Sequence, residues 1–213
     1  HGYPEEKIRV VYMGLDSRFN GLKTWSEDLS GIGQTPDNPL RVVFTGGFAY
    51  HKGNEYFLGA IEKLLDSGRY FRFKAIGDSD ISEDQRKRYA RALKAIQFVK
   101  HLPQEEMCQQ MLDAQVYLFP SLSEGCAKSA YEALSMGLCV VCTKESGLPM
   151  ADGRDGYIVG TRDSESIVQR LLWLVEHPEK MRSAGLNGTE VMKNHTWDCY
   201  AREVKALYEE LKQ

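Results

Sequence analysis

Short apolar runs alternate with longer amphipathic segments along most of the chain. Seven of the runs have the length and apolar content of strands: 7–12, 40–46, 71–77, 96–102, 115–120, 138–143 and 156–160. The segments between and after them predict helices at 54–68, 82–96, 103–114, 126–137, 163–178, 178–194 and 197–213. Alternating strands and helices of these lengths are typical of βαβ units, which build a parallel sheet with helices on both faces.

Several helix boundaries carry local signals in the sequence. Ser82 and Gln85 have the spacing of a capping box, in which a serine and a glutamine each bond the other's backbone. Pro103 stands at the start of its helix, a position that proline favours because its missing N–H has no helical partner there. Gly68 predicts a helix stop, and Pro178 closes or kinks the helix before it.

We therefore predict an α/β fold with one doubly wound, Rossmann-like domain over residues 1–213, closed by extra C-terminal helices. Residues 17–39 are polar and interrupted by glycine and proline, which predicts a long connection. Doubly wound sheets bind ligands at the carboxyl ends of their strands. The loops of interest are therefore those that leave the strands: 46–53, 77–81, 100–104, 120–126 and 143–155.

Composition narrows the class of protein. Hydrophobic residues make up 42% of the chain and charged residues 27%, as in ordinary globular proteins. A formal charge of −3 gives no basic excess, which argues against a nucleic-acid partner. No apolar run is long enough to predict a membrane span.

The five cysteines indicate a reducing compartment, because their number is odd and their positions are scattered. We therefore expect a cytoplasmic location, with any membrane association made through a further N-terminal half. Cys139 and Cys142 form a C-x-x-C, but they lie inside an apolar run and are expected to pack in the core. No His, Cys, Asp or Glu cluster has metal-ligand spacing, so neither a metal nor another cofactor is expected.

The loop TGGFAYHKG, residues 45–53, has features of an anion site. Gly46 and Gly47 let backbone N–H groups approach a phosphate closely, and Lys52 adds a positive charge near the start of a helix. The loop matches neither the Walker P-loop nor G-x-G-x-x-G. On its own, a tight turn with a solvated lysine explains it equally well.

The segment PSLSEGCAKSAYE, residues 120–132, places two carboxylates around a helix start. Glu124 precedes a helix predicted to begin near Cys126, and Glu132 lies about two turns inside it, at ~3.6 residues per turn. This spacing suits an elongated ligand with an anionic middle and hydroxyl groups at both ends. The alternative is that both glutamates are solvated surface residues.

Three segments together carry a family resemblance: FTGGFAYHKGNEYFLGAI, PSLSEGCAKSAYEALSMGLCVV and SGLPMADGRDGYIVG. They resemble the C-terminal half of group 1 glycosyltransferases, retaining enzymes of the GT-B fold. The opening EEKIRVVYMGLDSRF and the closing HTWDCYAREV are similar to the two ends of that half, so the resemblance covers nearly the whole chain.

The resemblance implies a binding site for a nucleotide sugar, here a UDP- or GDP-sugar, which serves as the glycosyl donor. Glu132 would bind the ribose hydroxyls, Glu124 the hydroxyls of the transferred sugar, and Lys52 the diphosphate. Glu124 and Lys52 would be the catalytic pair. The other implied donor-binding residues are Gly46, Gly47, Lys100, His101, Gly125, Cys126, Ala127 and Lys128, the last four through their backbone N–H groups.

The resemblance also implies a reaction and a partner. An acceptor hydroxyl replaces the nucleoside diphosphate on the anomeric carbon with retention of configuration, and no metal takes part. Lys52 and the helix N-terminus would stabilise the leaving group instead. In the family the acceptor binds an N-terminal domain across a cleft, so we expect that domain as the partner and expect residues 1–213 to be inactive alone.

Two positions depart from the family pattern. The family usually has arginine after the first glycine of the lysine loop, where this chain has Gly47, and often glutamate after GLP, where it has Met150. The first departure removes one phosphate-binding cation. Three other functions therefore stay open: a non-catalytic module that binds nucleotide sugars, a sugar-nucleotide epimerase of the same fold, and an unrelated α/β regulatory domain.

Overall fold

A computed structural model describes residues 4–26 and 28–210. Six strands form one parallel sheet: β1 Leu40–Thr45, β2 Phe71–Ile76, β3 Ile96–Val99, β4 Val116–Phe119, β5 Cys139–Thr143 and β6 Tyr157–Val159. Their order in the sheet is β3-β2-β1-β4-β5-β6. The chain therefore moves outwards from β1 in one direction and from β4 in the other. The neighbours β1 and β4 mark the switch point at which doubly wound sheets open a crevice.

In the described part of the chain, eight α-helices surround the sheet: α1 Asn54–Leu64, α2 Glu83–Arg88, α3 Ala90–Ala95, α4 Gln104–Leu112, α5 Lys128–Met136, α6 Ser164–Glu176, α7 Pro178–Met192 and α8 Trp197–Glu210. Helix α1 packs against α3 and α6, and α5 packs against α4 and α7. These contacts make two helical layers with the sheet between them. The predicted fold class, with helices on both faces and extra helices at the C-terminus, is confirmed.

The core lies between the layers and follows directly from the strand pattern. Every residue of β4 and β5 is buried, as expected for central strands covered on both faces. Cys139 and Cys142 lie in this core, as the sequence predicted. Phe44, Phe57 and Phe119 extend it towards the carboxyl ends of the strands, with the Phe44 and Phe57 rings stacked at 4.9 Å.

The predicted strand at 7–12 is wrong. Residues Glu5–Lys7 form a short 3-10 turn, and the chain then runs on outside the sheet with Ile8, Val10 and Tyr12 exposed. A strand needs a neighbour to bond its backbone, and within the described residues this segment pairs with none; the nearest bridge lies beyond it, from Leu15 to Thr196. We call residues 7–13 the N-terminal strap.

Two predicted helices differ in detail. The helix predicted at 82–96 is divided at Tyr89, whose backbone leaves the helical region at φ −117° and ψ 37°. The Tyr89 hydroxyl donates to Glu55 on α1 at 2.8 Å, so a tertiary contact accompanies the break. The capping box of Ser82 and Gln85 is confirmed. The helix expected near Cys126 begins two residues later, at Lys128.

Candidate functional site

A pocket of about 490 Å³ opens at the carboxyl edge of the sheet, beside the switch point between β1 and β4. The segments that follow β1, β3 and β4 supply its walls, together with the first two turns of α5. Its lining includes four of the charged residues singled out in the sequence: Lys52, Glu124, Lys128 and Glu132. The remaining lining residues are His101, Leu102, Pro103, Gln104, Met107, Phe119, Cys126, Ala127 and Ser129.

The loop after β1 brings Lys52 to the pocket through two glycines. Gly46 has a φ of +98°, and a Cβ at this position would lie 3.0 Å from the Lys52 Nζ, so any side chain would occupy the space of the lysine. Lys52 ends the 3-10 turn Tyr50–Lys52, and its ammonium lies 5.3 Å from the centre of the Phe119 ring. The glycine is therefore needed for the position of Lys52 as well as for the turn.

The loops after β1 and β4 are bonded to each other. The backbone carbonyl of His51 accepts from the Leu122 N–H at 2.7 Å and from the Ser121 hydroxyl at 2.9 Å. A Cβ at Gly53 would lie 1.9 Å from the Pro120 carbonyl oxygen, so only glycine allows this approach. Lys52 and Glu124 are thus held by one connected unit, although 72 positions separate them in the sequence.

Lys52 and Glu124 form an ion pair at the pocket wall. The Lys52 Nζ donates to the Glu124 Oε1 at 3.1 Å, and the two side chains are only 22% and 18% exposed. Such a partly screened pair fixes both side chains more firmly than an exposed pair would. The structure therefore contradicts the alternative in which Glu124 is a solvated charge.

Glu132 is almost completely buried, at 1% exposure, on the side of α5 that faces the pocket. Its Oε1 accepts from the Gln104 Nε2 at 2.5 Å, and the Lys128 Nζ lies 3.7 Å away. Burial raises the pKa of Glu132, and the Gln104 and Lys128 contacts offset part of that increase. The alternative of a surface residue is wrong for Glu132 as well.

The start of α5 offers several backbone donors to the pocket. Among the described residues, the N–H groups of Gly125, Cys126 and Lys128 have no acceptor, whereas the Ala127 N–H donates to the Ser146 carbonyl at 3.3 Å. The helix dipole adds a partial positive charge at the same end. Three of the four predicted backbone donors are therefore available to an anion, and Ala127 instead fixes the loop.

A hydroxyl network fixes the floor of the pocket. The Tyr117 hydroxyl, buried on β4, bonds the Thr45 Oγ1 and the Ser129 Oγ, each at 2.8 Å. These contacts connect the end of β1 to the first turn of α5. The network therefore ties the first turn of α5, one turn before Glu132, to the sheet.

Other predicted residues differ in their relation to the pocket. His101 lines it, whereas Lys100 is exposed and does not. Gln104 contributes directly through Glu132, but the sequence interpretation did not single it out. Its position at the start of the helix that follows the loop leaving β3 was the available signal. Phe119 and Met107 also line the pocket, and apolar residues of this kind look like core residues in a sequence.

The structure gives a local reason for the departure at Gly47. Its φ is +78°, and a Cβ there would lie 2.8 Å from the Asp78 carbonyl oxygen. An arginine at this position would need both a strained backbone and movement of the loop after β2. The chain geometry around Gly47 therefore fits glycine.

Within residues 4–26 and 28–210, no group of three or more His, Cys, Asp or Glu side chains could hold a metal ion. In the same part of the chain, no helix is long and apolar enough to cross a membrane.

The sequence profile described as "Glycosyl transferases group 1" matches residues 39–177. An uncharacterised glycosyltransferase of Methanocaldococcus jannaschii is 27% identical over 172 residues, which cover 79% of this chain and 48% of that protein. The amylovoran biosynthesis glycosyltransferase AmsK of Erwinia amylovora is 27% identical over 183 residues, covering 81% and 43%. The chain thus spans about half or less of the length of these relatives.

The solved structures show the same fold. The structure of Anabaena HepE in complex with UDP-glucose has a TM-score of 0.75 at 18% identity, covering 98% of this chain and 59% of that one. The C-terminal domain of the group 1 glycosyltransferase LpcC from Francisella tularensis has a TM-score of 0.69 at 20% identity, covering 85% and 97%. The chain belongs to the group 1 glycosyltransferases and has the fold of their C-terminal domain.

Proposed function

We propose that this chain is the nucleotide-sugar-binding half of a retaining group 1 glycosyltransferase. It would bind a UDP- or GDP-sugar as the donor, for transfer to an acceptor hydroxyl held by an N-terminal half. One observation carries the proposal: Lys52, Glu124 and Glu132 line one pocket, at the N-terminus of α5 and beside the sheet's switch point. A cation, a helix N-terminus and two carboxylates suit a ligand with a diphosphate between two hydroxyl-bearing sugars.

Glu132 is suited to the ribose. Its Oε1 is occupied by Gln104, and its Oε2 accepts no hydrogen bond from the described residues. A carboxylate oxygen with free lone pairs accepts from hydroxyl groups, and burial strengthens that contact because the local dielectric constant is low. Gln104 holds the carboxylate in one orientation. The ribose of the donor would therefore lie between α4 and α5.

The diphosphate would lie between Lys52 and the start of α5. The free N–H groups of Gly125, Cys126 and Lys128 and the helix dipole favour an anion at this point. A diphosphate bound there competes with Glu124 for the Lys52 ammonium, whose contact with Glu124 is 3.1 Å. This competition leaves the Glu124 carboxylate available to sugar hydroxyls.

The chemistry needs stabilisation of the leaving group more than proton transfer. When the bond between the anomeric carbon and the phosphate oxygen breaks, negative charge grows on the diphosphate. Lys52 and the α5 N-terminus would stabilise this charge, and Glu124 would position the sugar. The family resemblance implies that the anomeric configuration is retained, and we include retention in the proposed reaction.

The N-terminal half would cover an apolar surface formed by the strap and α8. Val10 is 71% exposed and Trp197 51% exposed, and the Tyr12 ring meets His195 at 5.7 Å, which joins the strap to the start of α8. Amide hydrogen exchange of 8–12 and 197–204 should slow when the chain is extended to the length of its relatives. Unchanged exchange would contradict this placement.

The central experiment compares Glu132→Gln with Glu124→Gln by calorimetry, with UDP, UDP-glucose, GDP and GDP-mannose as ligands. Glu132→Gln should weaken the binding of the nucleoside diphosphate and of the nucleotide sugar alike, since both contain the ribose. Glu124→Gln should weaken only the sugar-bearing ligand. Glu190→Gln, on the exposed side of α7, is the matched control and should change neither affinity.

Each other outcome has a definite meaning. If neither glutamate affects any ligand, the pocket is not a nucleotide-sugar site. If Glu124 is needed for the free diphosphate and Glu132 is dispensable, the donor lies in the reverse direction. If the protein converts a free sugar nucleotide to its epimer without an acceptor, its reaction is epimerisation and not glycosyl transfer. Binding without turnover by a full-length protein would identify a non-catalytic module.

A further inference from the structure

A second pocket, of about 590 Å³, opens at the amino edge of the same sheet, opposite the nucleotide-sugar pocket. Four basic side chains and one carboxylate line it, together with neutral residues. The basic residues are Lys23, Arg41, Arg72 and Lys74, and the carboxylate is Asp113. We call this concavity the amino-edge pocket.

The sheet itself brings the two arginines together. Arg41 on β1 and Arg72 on β2 are register partners, so their Cα atoms are neighbours in adjacent parallel strands. Adjacent strands lie about 4.8 Å apart, and partners point to the same face. Lys74 is two residues after Arg72 and shares that face. Like charges placed side by side on a sheet destabilise it unless something neutralises them.

Lys23, in the long connection over residues 17–39, also lines the amino-edge pocket. Its Nζ donates to the Leu112 carbonyl at 2.6 Å. Burial, followed by repulsion from Arg41, lowers the pKa of Lys23 to about 8, while Asp113 acts in the opposite direction. Burial is the larger cause, and the repulsion from Arg41 that adds to it agrees with the cations that line the amino-edge pocket.

Helix capping explains part of this arrangement. Arg41 Nε donates to the Asp113 carbonyl at 2.7 Å, and Lys74 donates to the Gln110 Oε1 at 2.8 Å, both at the C-terminus of α4. A helix C-terminus carries about −0.5 charge, so with Asp113 it supplies about −1.5 against four cations. Capping therefore leaves an excess of positive charge.

Arg72 shows the excess directly. It is exposed, and it donates no hydrogen bond and forms no ion pair with any described residue. Arg41 uses only its Nε, so both terminal amino groups are free of acceptors in the described part of the chain. Two planar guanidinium groups with free N–H donors match the oxygens of a phosphate group, which can accept from both at once.

We propose that the amino-edge pocket binds a phosphate monoester or diphosphate group, held by Arg41 and Arg72 with Lys23 and Lys74 at its sides. The group could belong to a free phosphorylated small molecule or to a phosphorylated lipid headgroup. The site lies at the opposite edge of the sheet from Lys52, so it is separate from the nucleotide-sugar pocket.

The first test uses inorganic pyrophosphate and calorimetry on the Lys52→Ala chain, which lacks the main cation of the other pocket. Arg72→Gln in this background should weaken binding by about tenfold or more, the size of a lost charge-assisted contact. Arg86→Gln, on exposed α2, makes the same change of charge and should have almost no effect. Equal losses for both variants, or no binding by the parent chain, would overturn the proposal.

A second measurement separates a ligand site from a structural cluster. Arg72→Gln removes a like-charge neighbour and breaks no hydrogen bond or ion pair with the described residues, so its melting temperature should stay the same or rise. A fall in stability comparable to the loss of binding would mean that Arg72 supports the fold, and the proposal would fail.

The source of the phosphate is resolved with vesicles. Sedimentation uses vesicles of phosphatidylcholine with and without phosphatidic acid, whose headgroup is a phosphate monoester. Binding to the phosphatidic acid vesicles that Arg72→Gln abolishes and Arg86→Gln preserves would identify a lipid headgroup. Binding of pyrophosphate without vesicle binding would identify a free phosphorylated molecule.

Discussion

The two edges of the sheet carry pockets of similar size and different charge. At the carboxyl edge, Lys52 is paired with Glu124 and Lys128 lies near Glu132, so cations and carboxylates are balanced. At the amino edge, four cations face one carboxylate. Strands β1 and β3 support both pockets, because the segments that follow them line the first pocket and their own early side chains line the second.

The difference indicates what each pocket can select. Balanced charges allow a ligand that is anionic in one part and rich in hydroxyl groups elsewhere, because each part meets its own partner. An excess of cations recognises charge alone and discriminates weakly between ligands of equal charge. Changes confined to one edge should therefore leave the ligand of the other edge unaffected.

The largest expected effect comes from breaking the contact that builds the carboxyl edge. Gly53→Ala would force a Cβ to 1.9 Å from the Pro120 carbonyl at a φ of +75°, and we expect a loss of about 4 kcal/mol or more in unfolding free energy. Gly68 has a similar φ of +72° but nothing within 4 Å, so Gly68→Ala should cost only about 1–2 kcal/mol. Urea unfolding measures both. Equal losses would mean that the loop contact contributes nothing.

The next effect is on ligand binding. Lys52→Ala should weaken the binding of a nucleoside diphosphate by about 1.5–3 kcal/mol, the value of a charge-assisted contact. The binding of the uncharged nucleoside should stay nearly unchanged. Calorimetry measures both ligands. Lys87→Ala, an exposed lysine on α2, is the control. Equal weakening of diphosphate and nucleoside would show that Lys52 acts through the shape of the pocket.

A smaller effect concerns Glu132 and pH. Because burial raises its pKa in the folded state, the folded chain holds this proton more tightly than the unfolded chain does. The stability from this group is present below the unfolded value of 4.5 and is lost as pH rises through the folded pKa. The melting temperature of Glu132→Gln should therefore rise relative to that of the wild type as the pH increases from 4.5. A difference that is constant with pH would contradict the assignment.

The smallest effect tests the burial of Lys23 at the amino edge. The pKa of Lys23 falls from 10.5 to about 8 on folding, so the unfolded chain binds this proton more tightly. Wild type should therefore gain stability relative to Lys23→Gln as pH rises from about 8 to 10.5. Chemical unfolding across this range measures the difference, and Lys87→Gln provides the baseline. A difference that falls with pH would show that folding does not lower the pKa of Lys23.

The sequence predicted the fold well, because its strongest signals are local. Six of the seven predicted strands form, in the lengths that apolar runs such as 138–143 require. The seventh, at 7–12, has the same apolar pattern but no neighbouring strand. The pattern of apolar side chains indicates which faces of a strand would be buried. Strand formation also needs a neighbouring strand to bond the backbone, and only the whole fold provides one.

The candidate site was predicted only in part. The loops that leave β1 and β4 and their charged residues could be located from the sequence, because a doubly wound sheet places its ligands there. The roles that those residues would have remain proposals. Gln104 was missed because its contact with Glu132 joins the start of α4 to the interior of α5, 28 positions further along the chain.

What the sequence by itself determined is the succession of strands and helices, the doubly wound class and the loops at which a ligand would bind. Tertiary structure alone decided the pairing of Lys52 with Glu124, the burial of Glu132 and the meeting of Arg41 with Arg72 across adjacent strands. The reason is physical. Periodicity and capping act within a few residues, whereas the charge around a residue depends on side chains that folding brings from distant parts of the chain.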